Sequence, residues 1–137
     1  MASRTETNLD AQERMGGFIN AGAIDSLGEV FASDVVDHDP APNQPAGLEG
    51  IKTFWRTFLT AFPDLAIEPA VVSADDEHVT IVLDITGTHS GDFNGHAPTG
   101  KTFAVRGIQV GRFEHGKLAE RWGATDELGI LTQLGLV

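Results

Sequence analysis

Apolar side chains recur at helical spacing in the first half of the chain. In the N-terminal stretch they are Leu9, Ala11, Met15, Phe18 and Ile19. This spacing predicts a helix from Leu9 with Thr7 as its cap, and residues 1–7 are expected to be disordered. A short second helix is predicted from Asp25 or Ser26. The clearest helical stripe, which Pro63 stops, comprises Leu48, Ile51, Phe54, Trp55, Phe58, Leu59 and Phe62.

The second half of the chain is dominated by strand patterns rich in Val, Ile and Thr. Strands are predicted at 35–40, 65–72, 78–88, 102–113 and 117–124, and a last helix from about Glu127. Helices followed by hairpin-joined strands predict an α+β fold. Gly87, Gly107 and Gly111 would allow the long strands to bend strongly. A bent sheet wrapped around a long apolar helix leaves a conical cavity suited to a small apolar ligand.

Length and charge narrow the class of protein. The chain has 137 residues, and we expect one domain over residues 8–137. The formal net charge of −11 argues against binding to nucleic acid or anionic membranes, since both depend on Lys and Arg contacts. With no cysteine, the chain cannot form disulfides, a thiol nucleophile or a Cys-ligated metal site. No signal-like or membrane-length apolar run is present, so a cytoplasmic protein is expected.

One carboxylate near the C-terminus is the leading candidate for chemistry. Counting by twos along the last strand places Leu118, Glu120, Trp122, Ala124 and Asp126 on one face. Asp126 would then lie in line with an indole on the wall of the curved sheet. A carboxylate against apolar surface loses hydration and takes up a proton more readily. The alternative is that Asp126 is the N-cap of the helix that begins at Glu127.

His38 is the second candidate. It lies on the early strand between Asp37 and Asp39 and could orient Asp126 or donate to a substrate oxygen. The alternative is a strand-end histidine bonded to backbone. A metal site at His38 and Asp39 is not expected, because a third ligand at suitable spacing is missing.

Alternation along 102–113 separates two groups of polar residues. Arg106 and Arg112 share one face, which we expect to be an outer or dimer surface because a buried arginine needs a partner. Gln109 falls on the opposite face and becomes a candidate polar group in the pocket. Glu120 could pair with Arg106 or Arg112.

The remaining candidates would shape the ligand site. They are Trp55, Phe58, His89, Phe93 and Trp122. For the tryptophans and Phe58 the alternative is ordinary core packing. His89 and Phe93 could instead hold the loop 89–100 in place, although loops of this length are often functional.

Several short motifs occur in an order that resembles the SnoaL-like polyketide cyclases of the NTF2-like superfamily. They are Val36-Asp37-His38-Asp39-Pro40, Ala61-Phe62-Pro63-Asp64-Leu65, Gly87-Thr88-His89-Ser90-Gly91-Asp92-Phe93, Pro98-Thr99-Gly100-Lys101, Gly116-Lys117-Leu118-Ala119-Glu120-Arg121-Trp122, Asp126 and Gln133-Leu134-Gly135. The resemblance spans about residues 10–137. It implies a cone-shaped barrel, in which a strongly curved mixed or antiparallel sheet wraps around N-terminal helices and encloses a central pocket.

The resemblance also implies a function. Its best-studied members close a ring by intramolecular aldol condensation without metal or cofactor, using an aspartate that Asp126 matches and an early-strand histidine that His38 matches. Where those cyclases have a second pocket histidine, this chain offers Gln109 or Arg112. We therefore expect a homodimeric cyclase-like enzyme acting on a small, apolar carbonyl or polyketide-like ligand.

Two alternatives remain open at the level of the sequence. An epoxide hydrolase or dehydratase on the same scaffold would need Asp84, Arg106 and Asp126 all to point inward. The other is a non-catalytic binding or interaction module, in which Asp126 serves only as a helix cap.

Overall fold

Three α-helices and one 3-10 turn precede, interrupt and follow the strands. The computed structural model describes residues 2–137, with helices α1 (Arg4–Asn20), α2 (Gly47–Ala61) and α3 (Glu127–Gln133) and a short 3-10 helix at Ile24–Glu29. Within residues 2–137, no helix combines the length and apolar character needed to cross a bilayer.

The first helix begins earlier than the sequence pattern predicts. Ser3 is its cap, because its hydroxyl accepts a hydrogen bond from the Glu6 amide, and Thr7 lies inside the helix. The apolar stripe starts only at Leu9, so the first turns carry no periodic signal. Much of the segment that we expected to be disordered is therefore helical, while Met1 lies outside the described residues.

Five strands form one curved, mixed sheet. They are β1 (Phe31–Asp37), β2 (Ala66–Ala74), β3 (His78–Thr88), β4 (Thr102–Glu114) and β5 (Lys117–Thr125), in the order β1-β5-β4-β3-β2. Only β1 and β5 are parallel. The sheet does not close, because β1 and β2 each pair on one side only among the described residues. The expected barrel is thus an open, curved sheet around the helices.

The concave face of the sheet carries the core. Along β4 the buried side chains of Phe103, Val105 and Phe113 alternate with exposed positions such as Ala104 and Arg106. The buried set packs with apolar residues of α1 and α2 in a single cluster. Arg106 and Arg112 therefore lie on the convex face and Gln109 on the concave face, as alternation predicts.

A bulge near the start of β5 changes which of its residues face the core. Phe113 pairs with Leu118, yet Arg112 pairs with Glu120, so β5 holds one extra residue at this point. Leu118 consequently faces inward and is fully buried, whereas Glu120 lies on the convex face. The prediction that Leu118 shares a face with Glu120 and Trp122 is wrong, because strict alternation fails at a bulge.

Candidate functional site

The helices do not cover the concave face of the sheet completely. Most inward-facing side chains of β3 and β4 are buried, but Leu83 and Gln109 keep partial exposure. The neighbouring inward positions of β5, Arg121 and Gly123, are also partly exposed. Gln109 pairs with Gly123 on one side and with Ile81 on the other. The middle of the concave face is therefore incompletely covered, and we call this partly exposed region around Leu83, Gln109, Arg121 and Gly123 the hollow.

Asp37 and Arg121 form the charged centre of this hollow. Arg121 Nη1 donates to Asp37 Oδ1 at 2.6 Å, and the two side chains are only 20% and 10% exposed. The parallel pairing of β1 with β5 places these two residues side by side. An ion pair this deeply placed holds its geometry well, because loss of either partner would leave a charge away from water.

Gln109 and Gly123 fix the orientation of the Arg121 guanidinium. Arg121 Nε donates to Gln109 Oε1 at 3.0 Å. A side chain at position 123 would overlap Nη2 of Arg121, so glycine is what lets the guanidinium lie across the strand. Nη2 itself makes no hydrogen bond to any of residues 2–137, although it carries two N–H donors. The arrangement therefore fixes the direction of the guanidinium on the concave face.

The loop after β1 supports the same cluster, which we call the Asp37–Arg121 cluster (Asp37, Gln44, Gln109 and Arg121). Gln44 Nε2 donates to Asp37 Oδ2 at 3.0 Å, and the Asp39 amide donates to Asp37 Oδ1 at 3.0 Å. Gln44 Oε1 in turn accepts from the Ala41 amide at 3.1 Å. Asp37 thus serves mainly to position Arg121, because three donors already use its oxygens.

His38 lies on the opposite, convex face of the sheet. Its Nε2 is 2.9 Å from Glu120 Oε1, and Glu120 also accepts from Arg112. The hydrogen bond from Arg112, followed by that from His38, holds the pKa of the Glu120 carboxyl below its usual range. The hydrogen bonds to Glu120 and Glu114 raise the pKa of Arg112 further. Glu120 therefore pairs with Arg112, one of the two partners that the sequence suggested.

The predicted pairing of His38 with Asp126 is not present in the structure. His38 stacks on Trp122, with ring centroids 4.7 Å apart and planes 8° from parallel. Trp122 sits on the convex face opposite Val110 and is partly exposed. Both residues thus belong to the outside of the sheet, because β5 turns Arg121 and Gly123 inward instead.

Asp126 follows the last residue of β5 and begins α3. Its Oδ1 accepts from the Gly129 amide at 2.8 Å, so the helix-cap alternative describes one of its roles. Its Oδ2 makes no hydrogen bond to residues 2–137. The side chain is exposed, and so the predicted loss of hydration against apolar surface is not found in the single chain.

His89, Phe58 and Phe93 meet in one buried aromatic cluster with Phe62. Ring centroids of Phe93 lie 5.0 Å from Phe62, 6.0 Å from Phe58 and 6.4 Å from His89. His89 is fully buried, and its Nδ1 accepts from the Thr99 amide at 3.2 Å. These residues therefore form the packing under the loop 89–100.

Trp55 packs edge-on against Phe58 and stays partly buried. Of the six predicted ligand-contacting residues, only Gln109 belongs to the Asp37–Arg121 cluster.

The epoxide hydrolase alternative required three inward-pointing residues. Asp84 and Arg106 form an exposed pair on the convex face, with Arg106 Nε 3.5 Å from Asp84 Oδ1. The inward arrangement is therefore absent.

Two open surface depressions, of about 410 and 370 Å³, also lie away from Asp126 and His38. Within residues 2–137, no group of three or more His, Asp or Glu side chains is arranged to hold a metal ion.

Sequence reasoning did not single out Asp37 and Arg121. The sequence did contain a signal for Arg121. Gln109 was placed on the inner face, its cross-strand partner is Gly123, and Arg121 lies two residues before Gly123 and so on the same face. The alternation of β5 was counted from Leu118. The bulge between Leu118 and Glu120 exchanges the inward and outward positions of the rest of the strand, so this count did not place Arg121 inward.

Comparisons with known proteins agree with this architecture. Residues 9–134 match the family described as SnoaL-like polyketide cyclase, while no curated protein matches the chain by sequence. TsrD from Streptomyces laurentii has the same fold, with a TM-score of 0.87 and 22% identity over 96% of each chain.

Two further solved structures are proposed polyketide cyclases. The one from Bacillus cereus has a TM-score of 0.85 and 25% identity over 96% of this chain and 83% of its own. IdmH from Streptomyces antibioticus has a TM-score of 0.82 and 28% identity over 93% of this chain and 98% of its own. These matches confirm the NTF2-like α+β fold. Because the family match spans nearly the whole sequence, the chain belongs to the SnoaL-like polyketide cyclase family.

Proposed function

We propose that this protein is a cofactor-independent, cyclase-type enzyme that binds a small, largely apolar carbonyl compound in the hollow of the concave face. The observation that carries the proposal is the Asp37–Arg121 cluster, which holds the Arg121 guanidinium in a fixed orientation on the partly exposed middle of the concave face. Ring closure of the aldol type requires a proton to leave a carbon beside a carbonyl. A hydrogen-bond donor of the protein that is directed at the carbonyl oxygen stabilises the negative charge that develops there, and so lowers the barrier to that step.

Asp126 is the proposed acid and base. Its Oδ2 is free to take a proton while Oδ1 caps α3. Asp126 lies three positions beyond Gly123, about 10 Å along the chain, and just past the end of β5, where its amide donates to the Arg106 carbonyl. Its exposed carboxylate is therefore at the rim of the sheet, and a flat substrate of two or three fused rings would have to extend from Arg121 to that rim. His38 is assigned no proton transfer here, because it is bonded to Glu120 on the convex face.

Hydrogen–deuterium exchange tests this proposal without knowledge of the natural substrate. We expect the protein to accelerate exchange at the α-carbon of flat ketones such as 2-tetralone, followed by proton NMR in D₂O. Asp126→Asn should lower the rate by about 100-fold or more, because a placed base contributes that much. Asparagine also caps helices well, so α3 should persist.

Glu127→Gln is the matched control, since it removes the neighbouring exposed carboxylate and should leave exchange unchanged. Equal exchange by wild type and Asp126→Asn would remove Asp126 from the mechanism. Binding of the ketone without any exchange would favour a non-catalytic binding module.

We also propose that the convex face joins two copies of the chain. Its centre is an apolar row in register across four strands, formed by Val71, Val82, Ile108 and Ala124. Val71 and Ile108 are 60% and 52% exposed, and Val36 and Trp122 continue the patch. Exposed apolar surface of this kind marks association sites. A homodimer would cover it, together with the stacked His38 and Trp122.

A charge at the centre of the row should abolish the dimer. We expect wild type to elute with twice the 14.6 kDa chain mass in size-exclusion chromatography with light scattering, and Ile108→Lys with the mass of one chain. Leu128→Lys is the control, because Leu128 is equally apolar and 67% exposed but lies on α3. A monomeric wild type, or a dimer that survives Ile108→Lys, would contradict this interface.

A further inference from the structure

The hollow is accompanied by more negative than positive charge. Its one charged member is Arg121, whose Nη1 donates to Asp37 Oδ1 at 2.6 Å. Asp39 adds a second carboxylate beside the hollow, because its Oδ2 accepts from the Gly123 amide at 2.8 Å. One guanidinium is thus matched by two carboxylates, which leaves a formal excess of one negative charge at this place.

The Asp37 carboxylate occupies the position that an acidic ligand would otherwise take on the guanidinium. It accepts from Arg121 Nη1, from Gln44 Nε2 at 3.0 Å and from the Asp39 amide at 3.0 Å. Its side chain is only 10% exposed. A ligand that displaced Asp37 from Arg121 would leave a carboxylate away from water without its cation, which is costly. A ligand carboxylate beside Asp37 would instead bring two negative charges together, which is also unfavourable.

We propose that Asp37 is a specificity-determining residue, which makes the hollow select neutral ligands and reject ligands that carry a carboxylate. This inference rests on the proposed function and narrows its substrate class to carbonyl compounds without an ionised acid group. Asp39 acts in the same direction from a more exposed position. A carboxylate loses hydration when it enters a partly covered site, and only a cation that is not already neutralised would offset that loss.

The overall charge of the chain must be separated from this local effect. The formal net charge of −11 disfavours anions over the whole surface. Asp84 allows the separation, because it pairs with Arg106 on the convex face as Asp37 pairs with Arg121 on the concave face. Asp37→Asn and Asp84→Asn change the net charge by the same amount, but only the first substitution changes the charge at the hollow.

Two ligands of nearly the same shape test the selectivity. 2-Acetylnaphthalene is a neutral, flat ketone, and 2-naphthoic acid carries an ionised oxygen in place of its methyl group at neutral pH. We expect wild type to bind the ketone at least about 10-fold more tightly than the acid, because a like charge a few ångströms away changes affinity by at least that factor. Calorimetric titration at neutral pH and 0.15 M salt measures both affinities, since distant surface charges are largely screened there.

Removal of the negative charge at position 37 should admit the acid. In Asp37→Asn the side-chain oxygen can still accept from Arg121, but the guanidinium is no longer neutralised. The affinity for the acid should rise at least about 10-fold, while the ketone binds as before. Asp39→Asn keeps an acceptor for the Gly123 amide and should raise the affinity for the acid about 3-fold, because an exposed charge is screened more. Asp84→Asn should change neither affinity.

The outcomes separate this inference from the proposed function. Equal or tighter binding of the acid by wild type would overturn the selectivity, and so would an equal rise of the acid affinity in Asp37→Asn and Asp84→Asn. A folded Asp37→Asn protein that discriminates like wild type would also overturn it. Circular dichroism reports folding, and if Asp37→Asn does not fold, an unchanged acid affinity in Asp39→Asn has the same meaning. In each case, binding of the ketone leaves the proposed function standing, whereas absence of ketone binding by wild type would overturn both proposals.

Discussion

Asp37→Ala should cost about 3 kcal/mol of the free energy of unfolding, a larger loss than is expected for an exposed charged residue. The substitution leaves the Arg121 guanidinium only 20% exposed and without its partner. It also removes the acceptor of Gln44 Nε2 and of the Asp39 amide. Removing one member of a buried, hydrogen-bonded pair is costly because the remaining charge cannot recover its hydration. Urea denaturation followed by circular dichroism measures the loss.

Asp84→Ala is the matched control. Asp84 also pairs with an arginine of the neighbouring strand, but the two side chains are 54% and 76% exposed. Exposed pairs contribute less than about 1 kcal/mol. Comparable losses for the two variants would mean that the Asp37–Arg121 pair is no more protected from water than a surface pair. The double variant Asp37→Ala, Arg121→Met should lose less than the sum of the single variants.

Gly50→Ala should cost about 3 kcal/mol of the free energy of unfolding. Gly50 is a buried residue of α2, and a methyl group there would overlap the carbonyl oxygen of Pro45. Because that atom is backbone, the loop before α2 must move as a whole. Gln44 precedes Pro45, so the same shift should break its hydrogen bond to Asp37. Thermal unfolding and urea denaturation both report the effect.

Gly16→Ala should instead stabilise the protein, although Gly16 is also a glycine within a helix. Gly16 lies within α1, and a methyl group at this position would meet no atom within 4 Å. Alanine is preferred over glycine in helix interiors, so this variant should gain about 0.5–1 kcal/mol. A Gly50→Ala variant as stable as wild type would show that the loop carrying Gln44 is not anchored to α2.

Most of the architecture follows from the sequence because its apolar periodicities are strong. The bounds of β3 at His78–Thr88 agree with the predicted strand, which is rich in Val, Ile and Thr. The helix α2 likewise follows its aromatic stripe to within one residue. The start of α1 was missed because a polar first turn is specified by a capping hydroxyl, which periodicity does not detect.

The candidate site was harder to predict because it depends on strand register. Gln109 was placed correctly, since β4 alternates regularly along its whole length. On β5 one bulged residue reverses the parity, and this moves Trp122 outward and Arg121 inward. The parallel pairing of β1 with β5, which brings Asp37 to Arg121, joins residues 84 positions apart and leaves no local trace in the sequence.

The face of the sheet that receives the ligand is the point on which the functional account depends. Two nitrogen-bearing side chains report on the two faces: the amide of Gln109 on the concave side and the indole of Trp122 on the convex side. In ¹⁵N-resolved NMR with 2-tetralone, the Gln109 side-chain amide and the Arg121 Nε–H signals should shift, while the Trp122 indole signal stays in place. A ligand that shifts Trp122 and leaves Gln109 and Arg121 unchanged would contradict the account.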